Sequence, residues 1–300
     1  MKKGIIHGIG AYLCWGLFPI FWKQLHDVDA LQVIAHRIVW SFFTLLISIA
    51  LLSRITAFRK SAFSTRLILT YVAAAVLIGI NWMIYVWGVN SGHIVETSLG
   101  YFINPLFSVL FGVVFFKERL RLWQWIPIGI ATCGVLFLSF SVGTFPWIAI
   151  SLAISFSLYG LVKKIAPLNP LFGMTLETGL LLIPALIFLF YLESGNEGAF
   201  LHSGIKTSFL LFLAGIITTV PLLLFASAAQ KIPLSLIGVL QYMAPSLQLI
   251  CGVFIYHESF SSNQFIGYGI IWFALIIFAT DGFLNFKQVS KVLEVPVLKP

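Results

Sequence analysis

SLGYFINPLFSVLFGVVFFKERLRLWQW, residues 98–125, returns in altered form as GVLQYMAPSLQLICGVFIYHESFSSNQF, residues 238–265. The two stretches align without a gap at an offset of 140, which sets Pro105 on Pro245, Gly112 on Gly252, Glu118 on Glu258 and Gln124 on Gln264. Gly129 and Gly269 continue the register. Apolar helices resemble one another by chance, but chance does not hold Pro, Glu and Gln at one spacing. Earlier in each half, Trp15-Gly16 falls opposite Tyr159-Gly160 and His36 opposite Glu177, at offsets of 144 and 141. The chain therefore reads as two copies of one unit, residues 1–143 and 144–286, followed by a tail over 287–300.

Composition decides the solvent of that unit. Of 300 residues, 60% are hydrophobic and 9% charged, and the mean hydropathy is +1.01. Soluble domains carry about 25% charged residues, so a water-soluble fold of this length could not cover its surface. The net charge of +8 does not make the chain a nucleic-acid binder, because its location matters more than its size. Cys14, Cys133 and Cys251 lie singly in apolar runs without a CxxC partner and read as small hydrophobes. The first apolar run, which carries Trp15, Pro19 and Trp22, is long enough to span rather than to serve as a cleaved leader.

A spanning helix needs about 20 mostly apolar residues. Ten such runs are present: 4–22, 31–52, 67–89, 95–116, 122–140, 146–163, 171–192, 207–229, 235–256 and 263–284. The fold class is all-α integral membrane, ten helices as a 5+5 repeat. Because five is odd, the second copy enters the bilayer inverted relative to the first, the construction of secondary transporters. Of the 18 Lys and Arg, Lys23 and Lys206 fall on one face and Arg37 within a span, whereas the other 15, Lys163 and Lys164 among them, fall on the face of the N-terminus. The positive-inside rule then puts both termini in the cytoplasm.

These residues resemble the drug/metabolite transporter superfamily, in its EamA group, through the 5+5 repeat, Trp15-Gly16…Pro19 and the repeated Pro-then-Glu pattern. His36-Arg37…Trp40-Ser41, Asn81-Trp82, the run from Ser98 to Pro105, Thr219-Val-Pro221 and Gln241-Tyr242…Pro245 are similar to its RarD branch. The resemblance covers about Gly4 to Asp281. It implies a bacterial inner-membrane permease with a central cavity lined mainly by spans 1–4 and 6–9, exporting or exchanging small metabolites. A multidrug or chloramphenicol-type efflux permease is the alternative that the branch's historical label implies.

Within the spans, polar and kinking residues carry the chemistry. Pro105 and Pro245 sit near the centres of spans 4 and 9, where each frees the carbonyl four residues back, on Tyr101 and Gln241. At that depth a freed carbonyl is tolerated where it meets protein or a water-filled cavity; Asn104, Gln241 and Tyr242 beside the prolines favour a cavity. Pro221 is read as a third kink. His36 and Arg37 lie about six residues, or roughly 9 Å, into span 2, and Glu177 lies equally deep from the opposite face. Intramembrane ionisable groups are functional by default, although Arg37 can also snorkel to the interface. His36 suits a pH-sensitive role. Glu177 is the candidate for proton coupling or for holding a substrate amine, and Gln at that position is expected to leave folding intact. Asn81 and Trp82 offer an amide and a stacking ring in mid-span 3. Trp15, Tyr159 and Tyr242 complete the candidate pathway. Glu118 and Glu258 lie at span ends and read as structural, and Trp22, Trp123, Trp125 and Trp147 as interfacial anchors.

No phosphate-binding G-x-x-x-x-G-K-[ST] loop occurs, so transport is expected to be secondary. No HExxH, intramembrane aspartate pair or Ser–His dyad supports a membrane enzyme, and a receptor has no need of inverted symmetry. No cofactor and no metal are expected. The expected partners are a small-molecule substrate, such as an amino acid or related zwitterion, the lipid bilayer, a proton or an exchanged solute, and a second copy of the chain in a homodimer; nucleic acid is excluded.

Overall fold

The computed structural model describes residues 1–61, 64–91, 93–142, 145–257 and 261–293. Glu258, the expected boundary at 143–144 and tail residues 294–300, Lys299 included, lie outside the described residues. The described chain is helical with no strand. In order, it forms α1 (Lys2–Trp22), α2 (Ala30–Leu51), a short α3 (Ile55–Ser61), α4 (Thr65–Asn90), α5 (Ile94–Phe116), α6 (Leu122–Val142), α7 (Trp147–Ile165), α8 (Pro170–Ser194), α9 (Ile205–Ala229), α10 (Leu234–Gln241), α11 (Met243–Ile250) and α12 (Ser262–Leu293). Counting α10, α11 and the π-turn Cys251–Ile255 as one crossing, ten of these are long and apolar enough to span a bilayer. Their bounds follow the ten apolar runs closely, because hydrophobic length is a one-dimensional property.

Local chemistry sets the helix ends. Asp29 caps α2, its Oδ1 accepting from the N–H groups of Leu31 and Gln32 at 3.0 and 3.2 Å. Asn169 caps α8 in the same way, with Pro170 in the first turn. At the end of α5, Lys117 takes a left-handed conformation (φ 53°) and the Glu118 N–H returns to the Gly112 carbonyl, the bond pattern of a Schellman end. His257, which closes the ninth crossing, has the same φ of 53°.

The two sequence-matched prolines do not act alike. The assigned helix α5 runs on through Pro105, whereas the ninth crossing is divided at Tyr242, just before Pro245. Pro221 lies within an undivided α9.

Packing rests on close backbone approach rather than on hiding apolar surface, since lipid tails are as apolar as leucine. Phe140, Phe190 and Ile205 face outward, while glycines sit where helices touch. Gly100 meets Leu152 and the Ala149 carbonyl, Gly238 meets the Pro105 carbonyl, and Gly134 meets Ile271. Gly4 and Gly8 seat α1 on Ile232 and Leu240, but Gly129 meets nothing and Cys133 is exposed. α5 packs on α7 and α10, α6 on α12, α2 on α8 and α9, α1 on α9 and α11, and α4 on α7 and α8. At the centre, Tyr12, Tyr159 and Phe225 are buried together.

Candidate functional site

Between these helices lies a cavity of about 810 Å³. Its mouth carries His26, Asp27 and Asp29 of the α1–α2 turn, all exposed. Trp15, Trp22, Trp82, Tyr85, Tyr101 and Phe156 supply aromatic walls, and Arg37, Asn81, Asn104 and Gln241 supply the polar groups. The volume lies within the usual range for small-molecule pockets, roughly 300–1,000 Å³.

The polar groups are fixed by neighbours that the sequence does not announce. Asn81 Nδ2 donates to the Leu152 carbonyl and to Ser155 Oγ, both at 2.9 Å, which ties α4 to α7. Asn104 Oδ1 accepts from Ser157 Oγ at 2.6 Å, and Gln241 Oε1 accepts from Ser108 Oγ at 2.9 Å. Arg37 Nε donates to Thr218 Oγ1 at 2.9 Å, and the guanidinium carbon lies 4.8 Å from the Trp22 ring and 4.9 Å from the Trp82 ring. Trp22, read from sequence as an interfacial anchor, also lines the cavity, where it faces Arg37 of α2.

Of the residues expected on a substrate pathway, Trp15, Arg37, Asn81, Trp82, Tyr101, Asn104 and Gln241 line this cavity, as does Pro245. His36, Tyr159, Glu177, Tyr242, Pro105 and Pro221 do not line it. His36 is buried with its ring 5.2 Å from that of Phe200, under the α8–α9 loop. Successive helical residues differ in direction by ~100°, so His36 and Arg37 cannot share one face. Tyr242 is buried in a cluster with Phe102 and Ile103.

Glu177 and Tyr159 belong to a separate group beneath the floor. A void of about 10 Å³, bordered by Ile78, Trp82 and Leu222 from the main cavity, reaches Glu177 and Tyr159. Glu177 Oε1 accepts from Lys163 Nζ at 2.5 Å and Oε2 accepts from the Tyr159 hydroxyl at 3.0 Å. The Met174 sulfur lies 3.4 Å from Lys163 Nζ. Both charged side chains are almost wholly buried, at 1% and 2% exposure. Lys163, counted from sequence among the charges on the face of the N-terminus, stands in the last turn of α7 with its ammonium inside the protein, where the carboxylate from α8 offsets the cost of burial.

The face of the termini is closed by a second set of contacts. Glu118 accepts from the Leu234 and Ser235 N–H groups at 2.7 and 2.9 Å and from Ser235 Oγ at 2.6 Å, which caps α10 from the α5–α6 turn. Lys164 Nζ lies 3.8 Å from the same carboxylate and donates to the Ile232 carbonyl at 2.7 Å. Gln230 donates to the Ala166 and Leu168 carbonyls. Ser227 Oγ bonds His7 Nδ1 at 2.7 Å and accepts from Lys231. The structural role read for Glu118 thus takes the form of a cap on a helix of the other half, a partner that sequence spacing cannot reveal. Glu118→Ala is expected to lower stability by about 1–2 kcal/mol, read as a drop in Tm of the detergent-solubilised protein; an unchanged Tm would show that the cap does not hold α10.

A ten-helix bundle with an aromatic and polar cavity open on one face and closed on the other has the build of a membrane carrier for small solutes. The sequence matches the EamA-like transporter family over residues 2–140 and again over 146–280, and the chain belongs to that family. It is 44% identical to the uncharacterized transporter YojE of Bacillus subtilis, covering 97% of each chain. It is 38% identical to the protein RarD of Streptomyces exfoliatus, over 98% of this chain and 93% of that one. A solved crystal structure matches with a TM-score of 0.69 at 16% identity, over 92% of this chain and 96% of its own, a likeness of fold. The protein is a multi-pass membrane transporter.

Proposed function

We propose that this chain is a secondary transporter that moves a small polar metabolite, an amino acid or related zwitterion in the first instance, across the bacterial inner membrane by alternating access. The observation that carries the reading is the asymmetry of the cavity. It is open beside Asp27 and Asp29, and closed on the opposite face by the contacts of Glu118, Lys164 and Gln230. With both termini in the cytoplasm, as the Lys and Arg distribution favours, the open side faces outward.

An inverted 5+5 repeat gives alternating access a physical basis, since exchanging the conformations of the two halves exchanges the open and closed faces. Several features support it. The family match occurs twice. The contacts of α1 with α9 and of α4 with α7 exchange when each crossing is replaced by its mate, and so do those of α5 with α7 and of α1 with α11. Lys117 and His257, mates at the 140 offset, both end their crossings at φ 53°. Asn81, Tyr101, Asn104 and Gln241 would meet the substrate, while Glu177, Tyr159 and Lys163 would form a charged element below the floor that rearranges when the inner side opens. A proton or an exchanged solute would drive the cycle. The aromatic walls equally favour a second reading, efflux of aromatic drug-like compounds.

Flux through proteoliposomes tests the proposal. Vesicles loaded with a defined mixture of amino acids and aromatic compounds are expected to exchange intact solute with the medium. Chemical conversion instead would identify an enzyme, and no movement in either direction would reject the carrier reading.

A further inference from the structure

Among the described residues, the interior of the cavity carries one fixed charge, and the acids that line it stand only at its rim. Arg37 is the only Lys or Arg among its described lining residues. Nε is engaged by Thr218 and the guanidinium lies against Trp22 and Trp82, and among the described residues its terminal N–H groups make no further hydrogen bond. No carboxylate lies within 4.0 Å of it among the ion pairs of the described residues. The two acids that line the cavity are at its rim: Asp29 is occupied in capping α2, and Asp27 stands beside His26 at 3.1 Å. Glu177, the remaining candidate, is tied to Lys163 and lies beyond the floor.

A lone cation among indole and phenol rings is a site of defined chemistry. Its planar fork of donors matches a carboxylate, which it can bind through two parallel hydrogen bonds. A phosphate ester brings about −1.5 to −2 charges to one cation and would leave the excess buried. A neutral solute leaves the guanidinium uncompensated, and a cation is repelled by it. The surrounding Trp15, Tyr101 and Phe156 favour an apolar or aromatic body.

We infer that Arg37 is the carboxylate anchor of the cavity and that the substrate is an organic monocarboxylate with an aromatic or apolar body, whose amine, where it has one, is not the recognised group. The inference rests on the transporter reading and moves the recognised feature of its substrate from a zwitterion to the carboxylate alone.

Three probes that share one ring test it on the full-length detergent-solubilised protein: 3-phenylpropionate, phenylalanine and phenethylamine, titrated calorimetrically. The two acids are expected to bind alike and the amine at least about tenfold more weakly, with Arg37→Gln weakening both acids at least about tenfold and Arg37→Lys retaining part of the affinity. Amine binding equal to that of the acids, no binding of either acid, or unchanged acid binding by Arg37→Gln overturns the assignment. Should Arg37→Gln fail to remain monodisperse, the wild-type series and Arg37→Lys decide, and Arg37→Lys binding the acids as tightly as wild type then counts against the fork. Flux separates this from the parent proposal. Acid binding at Arg37 without flux rejects the carrier and keeps the anchor, whereas flux indifferent to Arg37→Gln rejects the anchor and keeps the carrier.

Discussion

Glu177→Gln is expected to destabilise the protein by about 3–5 kcal/mol, the usual cost of removing one partner from a buried ion pair. Glutamine keeps the shape and can still accept from Tyr159, but it leaves the Lys163 ammonium without its counter-charge at 1% exposure. Removing both charges in Lys163→Met/Glu177→Gln is expected to recover most of the loss, because no buried charge is then left without a partner. Thermal unfolding in detergent reads both variants. A single variant as stable as wild type would show that the pair does not hold α7 to α8. This expectation departs from the one drawn from sequence, intact folding, for a definite reason: with Lys163 counted as a charge at the membrane face, Glu177 had no partner to strand.

Gly215→Ala is expected to cost about 1–3 kcal/mol, the range for overfilling a packed contact. A Cβ there would meet the Trp40 backbone carbon at 2.5 Å and the Ser41 nitrogen at 2.6 Å, and backbone cannot step aside as a side-chain tip can. The same contact carries a hydrogen bond from Ser41 Oγ to the Gly215 carbonyl at 2.9 Å. Relief requires α2 to move off α9. Arg37 stands about one turn before Trp40, and its acceptor Thr218 about one turn after Gly215, so the anchor would shift with the helices. The substitution is therefore expected to weaken binding of 3-phenylpropionate as well as to lower Tm. Gly269→Ala, where a Cβ meets nothing within 4 Å, provides the control and is expected to change neither. Equal behaviour of the two alanine variants would dispose of the close-contact argument.

What could be read before the structure was set by properties local to the chain. Span number and bounds depend on apolar length against a fixed bilayer thickness, and each of the ten crossings returned within a few residues of its run. Asn81 was recognisable as a mid-span amide in need of a partner, but that partner, the Leu152 carbonyl on α7, is 71 positions away. His36 and Arg37 are neighbours in sequence, yet one lies under Phe200 and the other in the cavity, because a helix turns adjacent residues to different sides. No signal marked Thr218 or Trp22 as the groups that hold Arg37.

By itself, the sequence determined that the chain lives in a bilayer, that it crosses ten times, and which family's pattern of Pro, Trp and Gln it carries. These are one-dimensional quantities: composition, run length and motif spacing. Only the tertiary structure decided that Lys163 pairs with Glu177, that Glu118 caps α10, and that Arg37 is held by Thr218 beside the Trp22 and Trp82 rings. Those outcomes depend on how helices distant in sequence are rotated about their axes and which faces meet. In a bilayer that rotation is chosen by close packing and by the need to satisfy each buried polar group, and neither is written at any single position of the chain.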